Sequence, residues 1–170
     1  MEAQQNFDLT DRFDVPAMVQ FMRTPEIYWS ASDALAPQPE QMDFEGYLLH
    51  PDVWSLAATF KGTVIGYVLF NKRTSIGAEV HCGFHQHARG KIAFTFMQMA
   101  ITRAFAERGL LKVWAIIAAD NRAACMGCGA LGFVREGVLR NAVVRQGAAE
   151  GKPPLRDLVI FGLSRPDVRN

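Results

Sequence analysis

The stretch Ile76–Phe94, IGAEVHCGFHQHARGKIAF, decides how the rest of the chain is read. As a strand it separates into two faces, because side chains alternate with a period of two. Ile76, Ala78, Val80, Cys82 and Phe84 make an apolar face; Gly77, Glu79, His81, Gly83 and His85 make a polar one. A short polar turn, QHARGK, follows, and then an apolar run, IAFTFMQMAITRAFAERG, of helical character. Free backbone N–H groups and the helix dipole gather where a basic, glycine-containing turn enters a helix, so an anion site is expected there. An acid and imidazoles on the strand leading into such a turn point to chemistry on a phosphate-bearing cofactor.

The surrounding chain is consistent with a single domain over residues 1–170, long enough to bury a real core. Hydrophobic residues make up 49% and charged ones 21%, ordinary values for a globular protein, and the formal net charge is +1. Nothing global therefore argues for nucleic acid or an anionic membrane as partner. The polar, acidic start is not a signal peptide, and no apolar run reaches membrane-spanning length. Three cysteines, Cys82, Cys125 and Cys128, are an odd number, so a disulfide framework is not expected and a cytoplasmic location is the default.

Residues 6–13 read as a first short strand. Asp14 ahead of VPAMVQFMR, with a proline in the first turn, marks a helix start. Residues 24–40 read as a loop holding an aromatic cluster that plugs a local core, and Glu40–His50 as a second helix stopped by Pro51. From Val53 come strands joined by short hairpins, with a Lys61–Gly62 turn between the first two. A third helix over 91–108, with Thr95, Gln98 and Thr102 as a narrow polar stripe, is expected to be largely buried, and Gly109 ends it. LLKVWAIIA reads as a strand covered on both faces. Asp120–Asn121 caps a short fourth helix, and two strands close the chain around a mobile loop, QGAAEGKPP. The expected architecture is α/β: a mixed, mostly antiparallel sheet of about seven strands flanked by about four helices, in the order β-α-α-β-β-β-α-β-α-β-β.

That order, together with three motifs, resembles the GNAT superfamily of acyl-CoA-dependent N-acyltransferases. AEVHCGFHQHARGK looks like the family's fourth strand and pyrophosphate loop, and DNRAACMGCGALGF like its N-x-x-A…G-F segment. LGFVREGVLR with RDLVIFGLSR looks like the closing strands of the ribosomal-protein N-terminal acetyltransferase-like branch, which also occurs in phage genomes. The resemblance implies acetyl-CoA as co-substrate and an amine-bearing acceptor, protein or small molecule. It implies cofactor contacts from Cys82, Gly83, Phe84, His85, Arg89, Gly90, Lys91, Ile92, Ala93 and Asn121. Ile92 and Phe94 stand where the family prefers small residues, and Cys128 where it often has a tyrosine.

Acyl transfer from a thioester requires a neutral amine, and amines titrate near ~8 to ~10, so a base must take a proton. Glu79 matches the position of a catalytic glutamate in related enzymes, and His81, about 7 Å further along the same face, is placed to share the relay. Cys128 is the candidate donor to the departing thiolate. Arg140, the 145–154 loop and the Trp29 region border the acceptor side. The competing reading is a catalytically weak or inactive GNAT-fold binding or assembly module. A homodimer through the last strands stays open. No metal is expected: His81 and His85 lie about 13 Å apart on a strand, too far to share one zinc. Cys125 and Cys128 read as reduced thiols rather than a redox pair.

Overall fold

A computed structural model describes residues 7–32, 36–144 and 155–168. β1 (Phe7–Thr10) leads to three helices, α1 (Val15–Arg23), α2 (Pro25–Ala31) and α3 (Phe44–Leu48). An antiparallel run of β2 (Val53–Phe60), β3 (Thr63–Lys72) and β4 (Gly77–Phe84) follows. The long α4 (Lys91–Glu107), β5 (Lys112–Ala118), α5 (Arg122–Ala130), β6 (Val134–Val144) and β7 (Leu155–Ser164) complete the chain. The seven strands form one sheet in the order β1-β2-β3-β4-β5-β7-β6. All neighbours are antiparallel except β4 and β5. The α/β class, the mixed sheet and its antiparallel front half match the sequence reading.

Local chemistry accounts for the elements that position the site. Asp14 caps α1 by accepting from the Ala17 N–H at 2.7 Å, an interaction worth about 1 kcal/mol. Lys61 and Gly62 both have positive φ (49° and 78°), as a two-residue hairpin between right-twisted strands requires. Asn121 caps α5, its side-chain oxygen accepting from Ala124 N–H at 3.2 Å, and the helix persists through Gly127 and Gly129.

Two cores sit on opposite faces of the sheet. α4 and α5 cover one face, burying Leu56, Val68, Phe70, Val80, Phe84 and Phe161. α1, α2 and α3 cover the other face over β2–β4, around Met18, Ile27, Ala57, Tyr67 and Leu69. Each fully buried aliphatic side chain here contributes roughly 1.5–3 kcal/mol of transfer free energy. Because Leu69 is opposite His81 and Tyr67 opposite Gly83, the polar face of β4 looks toward α1–α3.

Four expectations are corrected. Residues 24–40 contain α2, because Pro25 occupies the first turn of a helix with Glu26 behind it rather than breaking one. Ile27 and Tyr28 do plug a core, but from a helix. The expected helix over Glu40–His50 is instead a 3-10 turn, Pro39–Gln41, followed by the one-turn α3, capped by Asp43. The described residues therefore hold five α-helices. β5 is covered on one face only: Val113 and Ala115 are buried, while Ile116 is 38% exposed. The helices on that side stop over β4. α4 likewise leaves more than its polar stripe in water, since Met99 is also exposed. No helix among the described residues is long and apolar enough to cross a membrane. The expected mobile loop at 145–154 lies outside the described residues.

Candidate active site

The ladder between β4 and β5 is short. Gly77, Ala78 and Glu79 pair with Lys112, Val113 and Trp114, and there it stops, although β4 runs on to Phe84 and β5 to Ala118. The sheet thus splits at Glu79–Trp114, and Glu79 stands at the vertex.

At that vertex Glu79 is mostly buried, its side chain 13% exposed. Arg73, from the turn after β3, donates from Nε to Glu79 Oε2 at 3.3 Å. On the other side His81 Nε2 lies 3.4 Å from Glu79 Oε1, outside hydrogen-bonding geometry, and Nε2 is buried without a hydrogen-bond partner. Burial lowers the His81 pKa below its ordinary 6.5; Glu79 opposes that shift and Arg73 adds to it. His81 is therefore a neutral imidazole at neutral pH, beside a carboxylate held by a guanidinium.

Beyond the vertex Cys82 opens into the split. It is exposed as a residue, yet protein crowds it enough that desolvation pushes its thiol up to about 11, as on the floor of a cleft. Cys128 sits on α5 within the main core, only 9% exposed. Burial, then the nearby Cys82 and Cys125, push its thiol up to about 12. All three cysteines are free.

Gly83 has a different neighbourhood from the one expected. A Cβ there would meet the Tyr67 ring at 2.6 Å and Ile27 Cγ2 at 3.0 Å, so its missing side chain makes room for those two residues on the α1–α3 face. The resemblance implied a cofactor contact for Gly83 instead. Tyr67 itself is buried, and desolvation raises its hydroxyl well above the usual phenol range.

At the far end of β4, Arg89 and Gly90 precede α4. Gly90 occupies the helix N-cap position with φ 74°, a conformation that suits glycine, and a Cβ there would meet nothing within 4 Å. The first N–H to bond back into the helix is that of Phe94, to Gly90 O at 2.9 Å. The amides of Gly90, Lys91, Ile92 and Ala93 precede it and have no partner within the helix. Ile92 and Ala93 direct their side chains against the core, so the bulk of Ile92 does not fill the turn. This is an anion-binding arrangement.

Arg89 is anchored rather than free. Its Nε donates to Phe84 O at 3.2 Å and its Nη2 to Glu26 Oε1 at 3.0 Å. His85 Nε2 is 3.9 Å from the other Glu26 oxygen, and the His85 and His87 rings lie 5.1 Å apart. Three successive residues of α2 thus reach three places: Glu26 the turn, Ile27 the glycine of β4, and Tyr28 a cavity beyond. That cavity, of about 340 Å³, lies between α1, α2, the 36–44 segment, β3 and β6. Tyr28 donates its hydroxyl to Pro37 O at its wall.

The family model described as an acetyltransferase (GNAT) domain matches residues 8–134. The chain belongs to the GNAT acetyltransferase family. It is accordingly an acyl-CoA-dependent N-acetyltransferase, with acetyl-CoA as the family's co-substrate. Among solved structures, the ribosomal-protein-S5-alanine acetyltransferase from Vibrio fischeri superposes with a TM-score of 0.74 at 16% identity, over 98% of this chain and 97% of that one. A GNAT-family acetyltransferase from Streptococcus pneumoniae matches at TM-score 0.71 and 16% identity, over 94% and 99% of the two chains. Spermidine/spermine N-acetyltransferase SpeG from Vibrio cholerae, solved with manganese ions, matches at 0.71 and 17%, over 94% and 92%. At these identities the structures speak to the GNAT fold. No curated protein sequence matches. Among the described residues no cluster of three or more His, Cys, Asp or Glu could hold a metal.

Glu79, His81 and Cys82 are brought together at the split. Phe84, His85, Arg89, Gly90, Lys91, Ile92 and Ala93 are gathered where β4 leads into α4. Asn121 stands at the start of α5 beyond β5. Arg140 is exposed on β6, and Trp29 stacks edge-on against Tyr28. Sequence reasoning missed Arg73, Glu26 and Tyr67. The alternation of β3 could have put Tyr67 on the Glu79 face, but nothing local marked the other two.

Proposed function

We propose that the chain acetylates a primary amine by direct attack on the thioester of acetyl-CoA, with Glu79 and His81 handling the amine's proton. The observation that carries this is the position of Glu79 where the β4–β5 ladder ends, on the strand that leads to the unpaired amides of α4. The diphosphate of coenzyme A suits those amides, with Arg89 and Lys91 supplying positive charge beside them. Cys82–Phe84 border the path of the pantetheine arm along β4, and Asn121 faces it from the start of α5.

The acceptor arrives on the α1–α3 face as an ammonium ion. Glu79, directly or through the neutral His81, accepts its proton; the amine nitrogen then attacks the thioester carbonyl. The C–N bond forms and the C–S bond breaks; the sulfur leaves as thiolate. The second proton, left on the nitrogen after attack, passes to water in the split, which can return it to the sulfur. Cys128 is buried in the core, so water entering the split beside Cys82 is the better-placed source of the proton that the thiolate takes up. Positioned proton transfer of this kind contributes roughly 10²–10⁴ in rate.

Calorimetric titration of acetyl-CoA, followed by thiol release with a panel of amines and peptide N-termini, tests the proposal. Turnover that Glu79→Gln abolishes supports it. Tight binding with no turnover on any acceptor overturns it in favour of a binding or assembly module.

A further inference from the structure

From the cavity behind Tyr67 we infer that the acceptor is a monoamine carrying an uncharged, apolar substituent, and that a polyamine is a poor substrate. This rests on the proposed amine site at Glu79 and His81. The cavity of about 340 Å³ is walled by Met22, Tyr28, Met42, Phe44, Tyr67 and Val143 among others, and among the described residues its lining holds no acid and no base. That size lies at the small end of ligand sites and suits one side chain or a small ring system.

Its position fixes how an acceptor lies. Tyr67 is opposite Gly83, which is two residues beyond His81 on the same face of β4, a separation of about 7 Å. An amine nitrogen at His81 therefore directs a substituent that runs along β4 past Gly83 toward Tyr67, one wall of the cavity. The walls there are mostly hydrocarbon, thioether and aromatic ring; of the three hydroxyls, those of Ser32 and Tyr28 are uncharged, the latter donating to Pro37 O, and that of Tyr67 stays protonated because burial raises its pKa. The two ends are chemically unlike: the nitrogen meets the carboxylate of Glu79, and its substituent meets a surface whose described residues offer no acid to pair a second ammonium. A buried, unpaired cation is strongly disfavoured, whereas an apolar group gains by leaving water. An N-terminal residue with a medium-sized apolar or aromatic side chain has this chemistry, and so does a small arylalkylamine.

The full chain, saturated with acetyl-CoA, is assayed for thiol release with four amines: a peptide beginning with Leu, phenethylamine, a peptide beginning with Asp, and spermidine. The expected kcat/KM for at least one of the first two exceeds that for spermidine and for the Asp peptide by tenfold or more. Which of the first two leads tells protein N-termini from small monoamines. Val143→Asp, at the β6 wall where the chain is half-exposed, should erase that preference and leave the KM for acetyl-CoA unchanged. Val143→Thr, with nearly the same volume and no charge, should keep it, which separates charge from folding. Spermidine turned over as well as the apolar amines, or an order that Val143→Asp leaves untouched, overturns the inference while the proton-transfer site stands. No turnover of any amine by a chain that binds acetyl-CoA removes that site, and the inference with it.

Discussion

Glu79 Oε1 and His81 Nε2 stand 3.4 Å apart without a hydrogen bond between them, while Arg73 holds the other Glu79 oxygen at 3.3 Å. A carboxylate secured on one side and facing a desolvated imidazole on the other is a pair in which either partner can receive a proton. Glu79→Gln keeps the shape and removes the charge. The expected outcome is a loss of kcat/KM of roughly 10²–10⁴, read from thiol release, with little change in Tm. Little stability is at stake in the Arg73 pair, since that guanidinium is half-exposed and such pairs contribute about 0–1 kcal/mol.

His81 sets a pH dependence of sign opposite to that of a histidine gaining an acid partner. Its folded pKa lies below the unfolded value of about 6.5, with burial the leading cause. The unfolded chain therefore binds more protons in that range, and stability falls as pH drops below about 6.5. Melting curves at pH 5.5 and 7.5 should show a larger acid loss in the native chain than in His81→Asn. The acid limb of kcat/KM should lie below the ordinary histidine range and move in the same variant.

Gly83→Ala places a methyl group 2.6 Å from the Tyr67 ring. Overpacking of this kind costs about 1–3 kcal/mol, and at this size each kcal/mol lowers Tm by roughly 2–4 °C. A differential scan checks it. Adding Tyr67→Ala removes the obstructing ring, so the double variant should melt higher than the sum of the two single losses implies.

Arg89→Ala should raise the KM for acetyl-CoA about tenfold with a smaller change in kcat, because the proposed role of the arginine is toward the phosphates and not the reacting atoms. Glu26→Gln should move the same parameter by a smaller factor, since it leaves Arg89 in place but unanchored on one side. Initial rates across acetyl-CoA concentrations distinguish the two. Equal kcat and KM in Arg89→Ala and the native chain would show that the main-chain amides act without it.

The alternation of Ala78–Phe84 and the turn after it were enough to place β4, the start of α4 and the Glu79–His81 face, because strand periodicity and capping are local. The split beside β4 was not legible from spacing. It depends on where the β4–β5 ladder stops, a property of two strands separated by the whole of α4. The helix α2 was missed because the prolines at 25, 37 and 39 read as breakers, although Pro25 stands where a helix tolerates one. Gly83 was assigned a role toward the ligand because the identity of its cross-strand partner, Tyr67, is a matter of register. Cys128 carried a family position with it, but burial depends on how α5 seats on the core, which its own residues do not reveal.

Glu26, Ile27 and Tyr28 belong to one turn of helix and answer to three different neighbours. On the proposed arrangement, a mutation that reshapes this turn to admit a new acceptor also disturbs the anchor on Arg89 and with it the hold on the nucleotide. Drift in substrate choice is therefore pleiotropic in this protein, and lineages that change one property should show compensating replacements near the other.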